Sequence, residues 1–284
     1  MRSVVITGVS AGIGKATAEL LVKSGYRVFG SVRKNSDGKS LKKHFGNNFT
    51  PLYFDVKDLN AIKSAANAVE KSLEGQNLTA LVNNAGVAVL GPLQYLDINE
   101  FREQIEVKVL GTLACTQIFL PLLGTNPNRK GPPGKIINVS SALGGRIGAP
   151  FYGAYCSSKH ALEGLSETLR RELMIHDIKV SIIAPGAIRT KIWDKVNLQI
   201  ELKKYHKTEY YHQYNKALKM TKNLGEKGLP VEKVAKKILC AIEDKKPKIK
   251  YFLFGEGLLM LIYFIPKRLL DYQFSKFFGL RKNK

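Results

Sequence analysis

Tyr155 and Lys159 stand four residues apart in AYCSSKHALEG, residues 154–164. On an α-helix, side chains at positions i and i+4 share a face, about 5.4 Å apart along the axis, so a phenol and an ammonium can share one pocket. Lowering a tyrosine pKa by about three units requires about 4 kcal/mol, which a partly buried ammonium can supply. The pair predicts a tyrosine that exchanges protons near neutral pH, although an exposed Tyr–Lys pair is an ordinary alternative for so short a motif.

A second candidate is the glycine-rich turn TGVSAGIG at residues 7–14, with glycines at positions 8, 12 and 14. Such a turn lets the backbone approach a pyrophosphate and directs the N-terminus of the next helix at the anion. A tight turn with incidental glycines is the alternative, which the position between an apolar run and an amphipathic segment disfavours.

Apolar runs alternate with amphipathic segments, which predicts the elements that position these residues. Strands are expected at residues 4–6, 28–32, 52–56, 80–82, 136–139, 180–184 and 251–254. Helices are expected at residues 12–23 and 59–74 and along the leucines at 162, 165, 169 and 173. This order predicts an α/β fold, a Rossmann-type doubly wound parallel sheet with helices on both faces and ligands at the carboxyl ends of its strands.

Composition excludes several other classes of protein. The 284 residues are 44% hydrophobic, enough for a core, and the three cysteines and five histidines show no metal-binding spacing. The 45 basic and 23 acidic residues give a net charge of +22, which raises the alternative of a nucleic-acid binder. The charges are scattered and no nucleic-acid motif is present, so we expect no specific nucleic acid. The N-terminus runs directly into a predicted strand, so no cleavable signal peptide and a cytoplasmic location are expected.

The chain resembles the short-chain dehydrogenase/reductase family over nearly its whole length. The motifs that carry the resemblance occur in the family's order: T-G-x-x-x-G-x-G, Asp55-Val56, NNAG at residues 83–86, Ser140-Ser141, Y-x-x-x-K, and Pro185-Gly186 with Thr190. The resemblance implies an oxidoreductase that interconverts a carbonyl and an alcohol with a nicotinamide cofactor.

Three catalytic roles follow from this resemblance. Tyr155 would be the general acid/base, and Lys159 would lower its pKa and hold the ribose hydroxyls. Ser141 would stabilise the charge that develops on the substrate oxygen, with Ser140 the less suited neighbour. Both serines could instead cap the end of a strand.

The resemblance also implies a cofactor site. Its expected residues are Gly8, Ser10, Gly12, Ile13, Gly14, Arg33, Lys34, Asp55, Val56, Asn84, Ala85, Gly86, Tyr155, Lys159, Pro185, Gly186, Ile188 and Thr190. The segment RVFGSVRK, residues 27–34, offers Arg33 and Lys34 where an acidic residue would bind the ribose of NAD. Arginine fits a 2′-phosphate, so NADP is favoured over NAD; the alternative is that both are solvated surface cations.

Two departures from the family pattern stand close to these motifs. Gly144-Gly145 resembles a one-residue insertion between serine and tyrosine, which two glycines can absorb. Lys108, in EVKVLG, occupies the position of the family's asparagine, and its ammonium would disfavour charge on Lys159 if it pointed that way. Attenuated activity is expected, and a catalytically weak NADP-binding sensor or scaffold is the alternative.

The last part of the chain bears on substrate and partners. Residues 188–228 form a predicted substrate lid that supplies Trp193, Tyr205, Tyr210, Tyr211, Tyr214 and Met220; simple packing on the domain is the alternative. Residues 1–250 are predicted as one catalytic domain, and residues 251–284 as the last strand and a basic, apolar extension. This extension could lie peripherally on an anionic membrane, cover the pocket or pack between subunits. The resemblance implies a hydrophobic substrate, such as a steroid or retinoid, and a homodimer or homotetramer.

Overall fold

The computed structural model describes residues 1–190, 202–254 and 265–281. Within these ranges one parallel sheet is formed by β1 (Ser3–Ile6), β2 (Arg27–Val32), β3 (Phe49–Tyr53), β4 (Ala80–Asn83), β5 (Lys135–Val139), β6 (Lys179–Pro185) and β7 (Lys250–Leu253). Their order across the sheet is β3-β2-β1-β4-β5-β6-β7. Strands β2 and β3 lie on one side of β1 and the later strands on the other, so the strand order reverses between β1 and β4. A crevice opens at the carboxyl ends of strands at such a reversal.

Helices connect and flank the strands. They are α1 (Gly12–Lys23), α2 (Asn35–Phe45), α3 (Leu59–Leu73), α4 (Ile98–Ile105), α5 (Gly111–Phe119), α6 (Gly153–Glu172), α7 (Tyr211–Lys227), α8 (Val231–Glu243) and α9 (Lys267–Phe278). A π-helical segment, Glu106–Leu110, joins α4 to α5. Of the described chain, the run Ile98–Leu123 is long and apolar enough to cross a membrane, but half of its apolar window is buried in the protein, as in a core helix.

Alternating side chains of the strands pack into two hydrophobic cores. Val4 and Ile6 pack in one core with residues of α1 and α8, whereas Val5 packs in the other with residues of α3 and α5. A strand directs successive side chains to opposite faces, so this division places helices on both faces of the sheet. The predicted α/β fold with a doubly wound parallel sheet is therefore confirmed.

Some predicted boundaries were wrong. The third strand, expected at residues 52–56, ends at Tyr53, because the Asp55 side chain accepts a hydrogen bond from the Lys57 N–H and its carbonyl accepts one from the Asp58 N–H, forming a turn. The last strand, expected at residues 251–254, is Lys250–Leu253 and pairs with β6. The division of the chain at residue 250 stays a prediction.

A buried polar network fixes α6 against the centre of the sheet. The Asn83 amide donates to Asn138 Oδ1 at 2.9 Å, and the Asn138 amide donates to Ser166 Oγ at 2.8 Å. Asn83 also donates to Thr116 of α5. Because buried polar groups are costly when unpaired, these bonds favour one position of α6 relative to β4 and β5. That position carries Tyr155 and Lys159 to the edge of the crevice.

Candidate active site

The crevice contains a cavity of about 250 Å³. It brings together most of the predicted site residues: Gly8, Ser10, Gly12, Ile13, Arg33, Asp55, Val56, Asn84, Ala85, Gly86, Tyr155, Lys159, Pro185, Gly186, Ile188 and Thr190. Gly14, Lys34 and Ser141 were also predicted but do not line it. Lys108, Ser140 and Ser31 line it although they were not predicted to bind a cofactor.

The glycine turn forms a close-fitting cradle at one end of the cavity. Gly8 and Gly12 have φ angles of 73° and 59°, a region that glycine adopts at little cost. A Cβ on Gly14 would collide with the Gly8 carbonyl oxygen and lie 2.5 Å from Asn84 Nδ2. Gly14 therefore acts through packing rather than by lining the cavity. Among the described residues no side chain caps the N-terminus of α1, so its N–H groups are oriented for an anion, and the cradle fits a dinucleotide pyrophosphate.

Asn84 ties this turn to the end of β4. Its amide donates to the Thr7 and Gly8 carbonyl oxygens at 3.0 and 2.9 Å. Thr7 Oγ1 accepts in return from the Asn84 and Ala85 backbone N–H groups. The Asn84 amide therefore binds the turn. Asn84 contributes to a cofactor site by fixing the shape of the cradle.

Arg33 and Asp55 form the other end of the cavity. Arg33 Nη1 lies 3.6 Å from Asp55 Oδ2, and the guanidinium is exposed. An exposed ion pair contributes little stability, so the guanidinium is free to exchange its partner for a phosphate. Lys34, predicted as a helper, lies outside the cavity lining as the residue preceding α2.

Burial reverses the expected direction of the Tyr155 pKa. The sequence predicted that Lys159 would lower it, but burial raises the pKa of the Tyr155 phenol to about 12, against a smaller lowering by a hydrogen bond with Ser141. Lys159 Nζ lies 5.3 Å from the centroid of the tyrosine ring and donates to the Val139 and Ser140 carbonyl oxygens. The ammonium is therefore directed at the strand end instead of the phenol oxygen.

Burial and a second lysine both lower the pKa of Lys159. Burial lowers the pKa of Lys159 well below its usual value, and the neighbouring Lys108 lowers it further. Burial also lowers the pKa of Lys108, to about 8. The like-charge repulsion predicted for a lysine at this position is thus present, because Lys108 points towards Lys159.

The two serines at the end of β5 have different partners. Ser140 Oγ donates to Glu163 Oε1 at 2.9 Å, whereas Ser141 hydrogen-bonds with Tyr155 and accepts from the Leu143 N–H. The hydrogen bond with Tyr155 favours Ser141 as the substrate contact, whereas Ser140 and not Ser141 lines the cavity, so the choice of Ser141 stays a prediction.

Glu163 is a residue that sequence reasoning missed. Its Oε2 accepts from Lys250 Nζ of β7 at 2.6 Å, and its carboxylate lies so close to Gly144 and Gly145 that a Cβ at either would collide with it. The two glycines have no side chain and so leave room for the carboxylate. Their conformational freedom can also accommodate the one-residue insertion. The available signal was a glutamate one turn after Lys159, inside the leucine stripe of α6.

Comparison with known proteins assigns the family. A family model described as short chain dehydrogenase matches residues 2–201, and the chain belongs to this family of oxidoreductases. The NADPH-dependent 3-dehydrocapnine reductase of Ornithobacterium rhinotracheale is similar to it, with 42% identity over 97% of both chains. Bovine short-chain dehydrogenase/reductase family 9C member 7 is 32% identical over 93% of this chain and 84% of its own.

Solved structures agree on the fold. A short-chain dehydrogenase from Streptomyces avermitilis superposes with a TM-score of 0.77 at 24% identity, covering 99% of this chain and 98% of its own. One from Burkholderia phymatum, in complex with NAD, gives a TM-score of 0.78 at 22% identity, with coverages of 96% and 95%. The family model and the similar relatives confirm the predicted family and enzyme class, and these structures agree with them in fold.

Replacing Glu163 with glutamine tests its role in holding the loop before α6. Glu163→Gln removes the charge that pairs with Lys250 in a nearly buried position, so we expect the free energy of unfolding to fall by about 3 kcal/mol. Denaturant unfolding measures this change. Glu167→Gln, on an exposed turn of the same helix, is the control and should change it by less than about 0.5 kcal/mol. Equal unfolding midpoints for the two variants would contradict the assignment.

Proposed function

We propose that this protein uses NADPH to reduce a carbonyl group on a hydrophobic small molecule. The observation that carries the substrate class is the position of Tyr155, which lines the cavity and also packs against a cluster of apolar residues. This aromatic cluster consists of Leu90, Phe151, Tyr152, Cys156, Tyr205, Tyr214, Ala217, Leu218 and Phe278. A substrate carbonyl at Tyr155 would therefore have its apolar part beside the cluster.

The chemistry divides between the cofactor and the chain. Bound NADPH supplies the hydride. Tyr155 donates its proton to the carbonyl oxygen, and Ser141 hydrogen-bonds that oxygen as charge develops on it. Because burial raises the pKa of Tyr155, the phenol of the free chain carries its proton near neutral pH and can donate it.

The aromatic cluster also supports the proposed substrate lid. Tyr205 and Tyr214 are buried with ring centroids 5.1 Å apart, and the Tyr214 hydroxyl donates to the Leu90 carbonyl oxygen. Tyr210 packs edge-on against Phe151. In the part of the chain that the structure describes, these rings form a wall beside Tyr155; Trp193, also assigned to the lid, lies outside the described residues.

The similarity to a 3-dehydrocapnine reductase selects the first compound to assay. We propose 3-dehydrocapnine as the substrate to test first, with steroid ketones and retinaldehyde as the comparison, because a retinol dehydrogenase and a family 9C member are also similar to this chain. NADPH oxidation at 340 nm, a property of the reduced nicotinamide, measures all three.

Tyr155→Phe removes the proposed proton donor and keeps the ring in its place. We expect kcat to fall at least about a hundredfold, since a positioned general acid contributes 10²- to 10⁴-fold, with NADPH affinity nearly unchanged. Tyr272→Phe, an exposed tyrosine on α9, is the control and should keep full activity. Tight NADPH binding with no turnover of any compound by the unmodified protein would indicate the sensor or scaffold instead.

Arg33 is proposed to select NADPH over NADH. We expect Arg33→Ala to raise the KM for NADPH about tenfold or more, because a charge-assisted bond to the 2′-phosphate is lost, and to leave the KM for NADH within about twofold. Steady-state kinetics with both cofactors measures the ratio, and Lys43→Ala on the exposed face of α2 is the control. An equal rise for both cofactors would contradict the assignment.

We also propose that the outer face of α9 contacts an anionic membrane surface. Phe278 packs against Phe151 of the aromatic cluster, while Leu269, Tyr272 and Phe277 are exposed beside basic residues. Co-sedimentation with phosphatidylcholine vesicles, with and without phosphatidylserine, tests this contact, and equal binding to both would exclude a role for charge. Residues 255–264, part of the predicted extension, lie outside the described ranges.

A homo-oligomer is proposed from the family, whose members often form oligomers. Leu110, in the segment before α5, is 55% exposed, and a Cβ on Gly164 of α6 would meet open space. We expect the surfaces around Leu110 and Gly164 to form the contact between copies of the chain. Light scattering after size-exclusion chromatography measures the mass, and a monomer would exclude the proposal.

A further inference from the structure

Two adjacent buried serines, Ser140 and Ser141, stand at the end of β5. Each hydroxyl has one hydrogen to donate. A carbonyl oxygen that gains negative charge during reduction is stabilised by a hydroxyl that donates to it, so a serine whose hydrogen is bound elsewhere cannot serve. The position of each hydrogen therefore decides which serine can act on the substrate.

Glu163 takes the hydrogen of Ser140. Ser140 Oγ donates to Glu163 Oε1 at 2.9 Å, and the other carboxylate oxygen accepts from Lys250 Nζ at 2.6 Å. A carboxylate paired with an ammonium group is an acceptor only, so the Ser140 hydroxyl has to be the donor in this bond. Ser140 lines the cavity, but its hydrogen is already bound and is not available to a substrate oxygen.

The backbone around Ser140 holds the hydroxyl in this bond. Its carbonyl oxygen accepts from Lys159 Nζ at 3.0 Å, and its N–H donates to the Ile183 carbonyl oxygen at 2.8 Å. A Cβ on Gly144 would lie 2.5 Å from Glu163 Oε1 and 2.6 Å from Ser140 Oγ. Because glycine has no Cβ, this position leaves the room that the serine–glutamate bond occupies.

Ser141 keeps its hydrogen. Its Oγ accepts from the Leu143 N–H at 3.2 Å, and its carbonyl oxygen accepts from the Gly144 N–H at 2.9 Å. Within the described ranges, its hydroxyl donates to no carbonyl or carboxylate oxygen, and it hydrogen-bonds with the Tyr155 phenol. Ser141 therefore has a hydrogen to offer beside the proposed proton donor.

We propose that Glu163 is a positioning residue that assigns the substrate oxygen to Ser141 by binding the only hydrogen of Ser140. Glu163 is not among the residues that line the cavity, so it acts through the serines and not on the substrate. The inference rests on the proposed reduction, in which a serine stabilises the charge on the carbonyl oxygen. Without this acceptor, Ser140 would compete for that oxygen and would replace Ser141 in its absence.

Glu163→Gln reverses the bond while the side chain keeps its shape. An amide has a single oxygen, which Lys250 should bind, so the NH2 group faces Ser140 and donates to it. The Ser140 hydrogen is then free for a substrate oxygen. Lys250→Met is the matched control, because it breaks the same ion pair but keeps the carboxylate as an acceptor for Ser140.

The cost of Ser141→Ala in each background shows which serine donates. The assay uses the carbonyl compound that the unmodified protein reduces fastest. In the unmodified protein and in Lys250→Met, Ser141→Ala should lower kcat about a hundredfold, the typical cost of losing one such donor. In Glu163→Gln the same change should lower kcat about tenfold or less, because Ser140 replaces the lost donor.

A purely structural Glu163 would give a different result. Ser141→Ala would then lower kcat by the same factor in all three backgrounds, and this outcome would overturn the proposal. A loss below about threefold in the unmodified protein would also overturn it, since Ser141 would not be the donor.

A second variant keeps the test open if Glu163→Gln does not fold. Glu163→Met/Lys250→Met removes both charges, so no unpaired charge stays buried and Ser140 has no acceptor at residue 163. In a crystal structure of this variant, Ser140 Oγ should turn towards the cavity, whereas in Lys250→Met it should keep its position. An unturned Ser140 in the double variant would overturn the proposal.

This structural readout separates the inference from the proposed reaction, because it needs no substrate. If no carbonyl compound is reduced but Ser140 turns, the proposed reaction fails and the hold of Glu163 on Ser140 stands. Reduction with equal losses from Ser141→Ala in every background has the opposite meaning.

Discussion

The contact between the glycine turn and the end of β4 is the constraint on which the site depends. Asn84 bonds to the carbonyl oxygens of Thr7 and Gly8, and Gly14 approaches so closely that a side chain has no room. These bonds fix the crevice that the reversal of strand order opens. Once the crevice is fixed, the register of β5 and the polar network under α6 determine where Tyr155 and Lys159 can lie.

Burial at this crevice is the main electrostatic influence. It raises the pKa of Tyr155 and lowers the pKa values of Lys108 and Lys159, each time favouring the neutral form. Glu163 offsets part of this cost for Lys159, but its carboxylate is shared with Ser140 and Lys250. The same glutamate needs two glycines beside it, so the loop before α6 and the charge state of the site are linked through one residue.

The sequence was a good guide to the fold and to the location of the site, because both depend on local patterns. The apolar alternation predicted the parallel sheet, and the motifs of the resemblance pointed to the glycine turn, Asn84 and Tyr155, which the structure brings together at one cavity. The boundary of β3 was missed because a turn closed by the Asp55 side chain ends the strand before the apolar run ends.

The electrostatics could not be read from the sequence in the same way. Spacing shows that Tyr155 and Lys159 share a helix face, but not that Lys159 is directed at carbonyl oxygens of β5. The direction of the tyrosine pKa depends on that orientation and on how deeply each group is buried. Glu163 was missed for a related reason, since its partner on β7 is distant in sequence.

The raised pKa of Tyr155 and the lowered pKa values of Lys108 and Lys159 bear on the same proton transfer. A phenol that stays protonated is ready to donate, whereas oxidation of an alcohol needs a phenolate to accept a proton. Burial lowers the pKa values of Lys108 and Lys159, so these lysines stabilise a Tyr155 phenolate less than two fully charged ammonium groups would. The absence of acidic residues from RVFGSVRK removes the usual ribose partner of NAD, which agrees with a reductive cofactor. The two ends of the cavity thus act on different parts of the proposed reaction, because Arg33 bears on the choice of cofactor and Tyr155 on proton transfer.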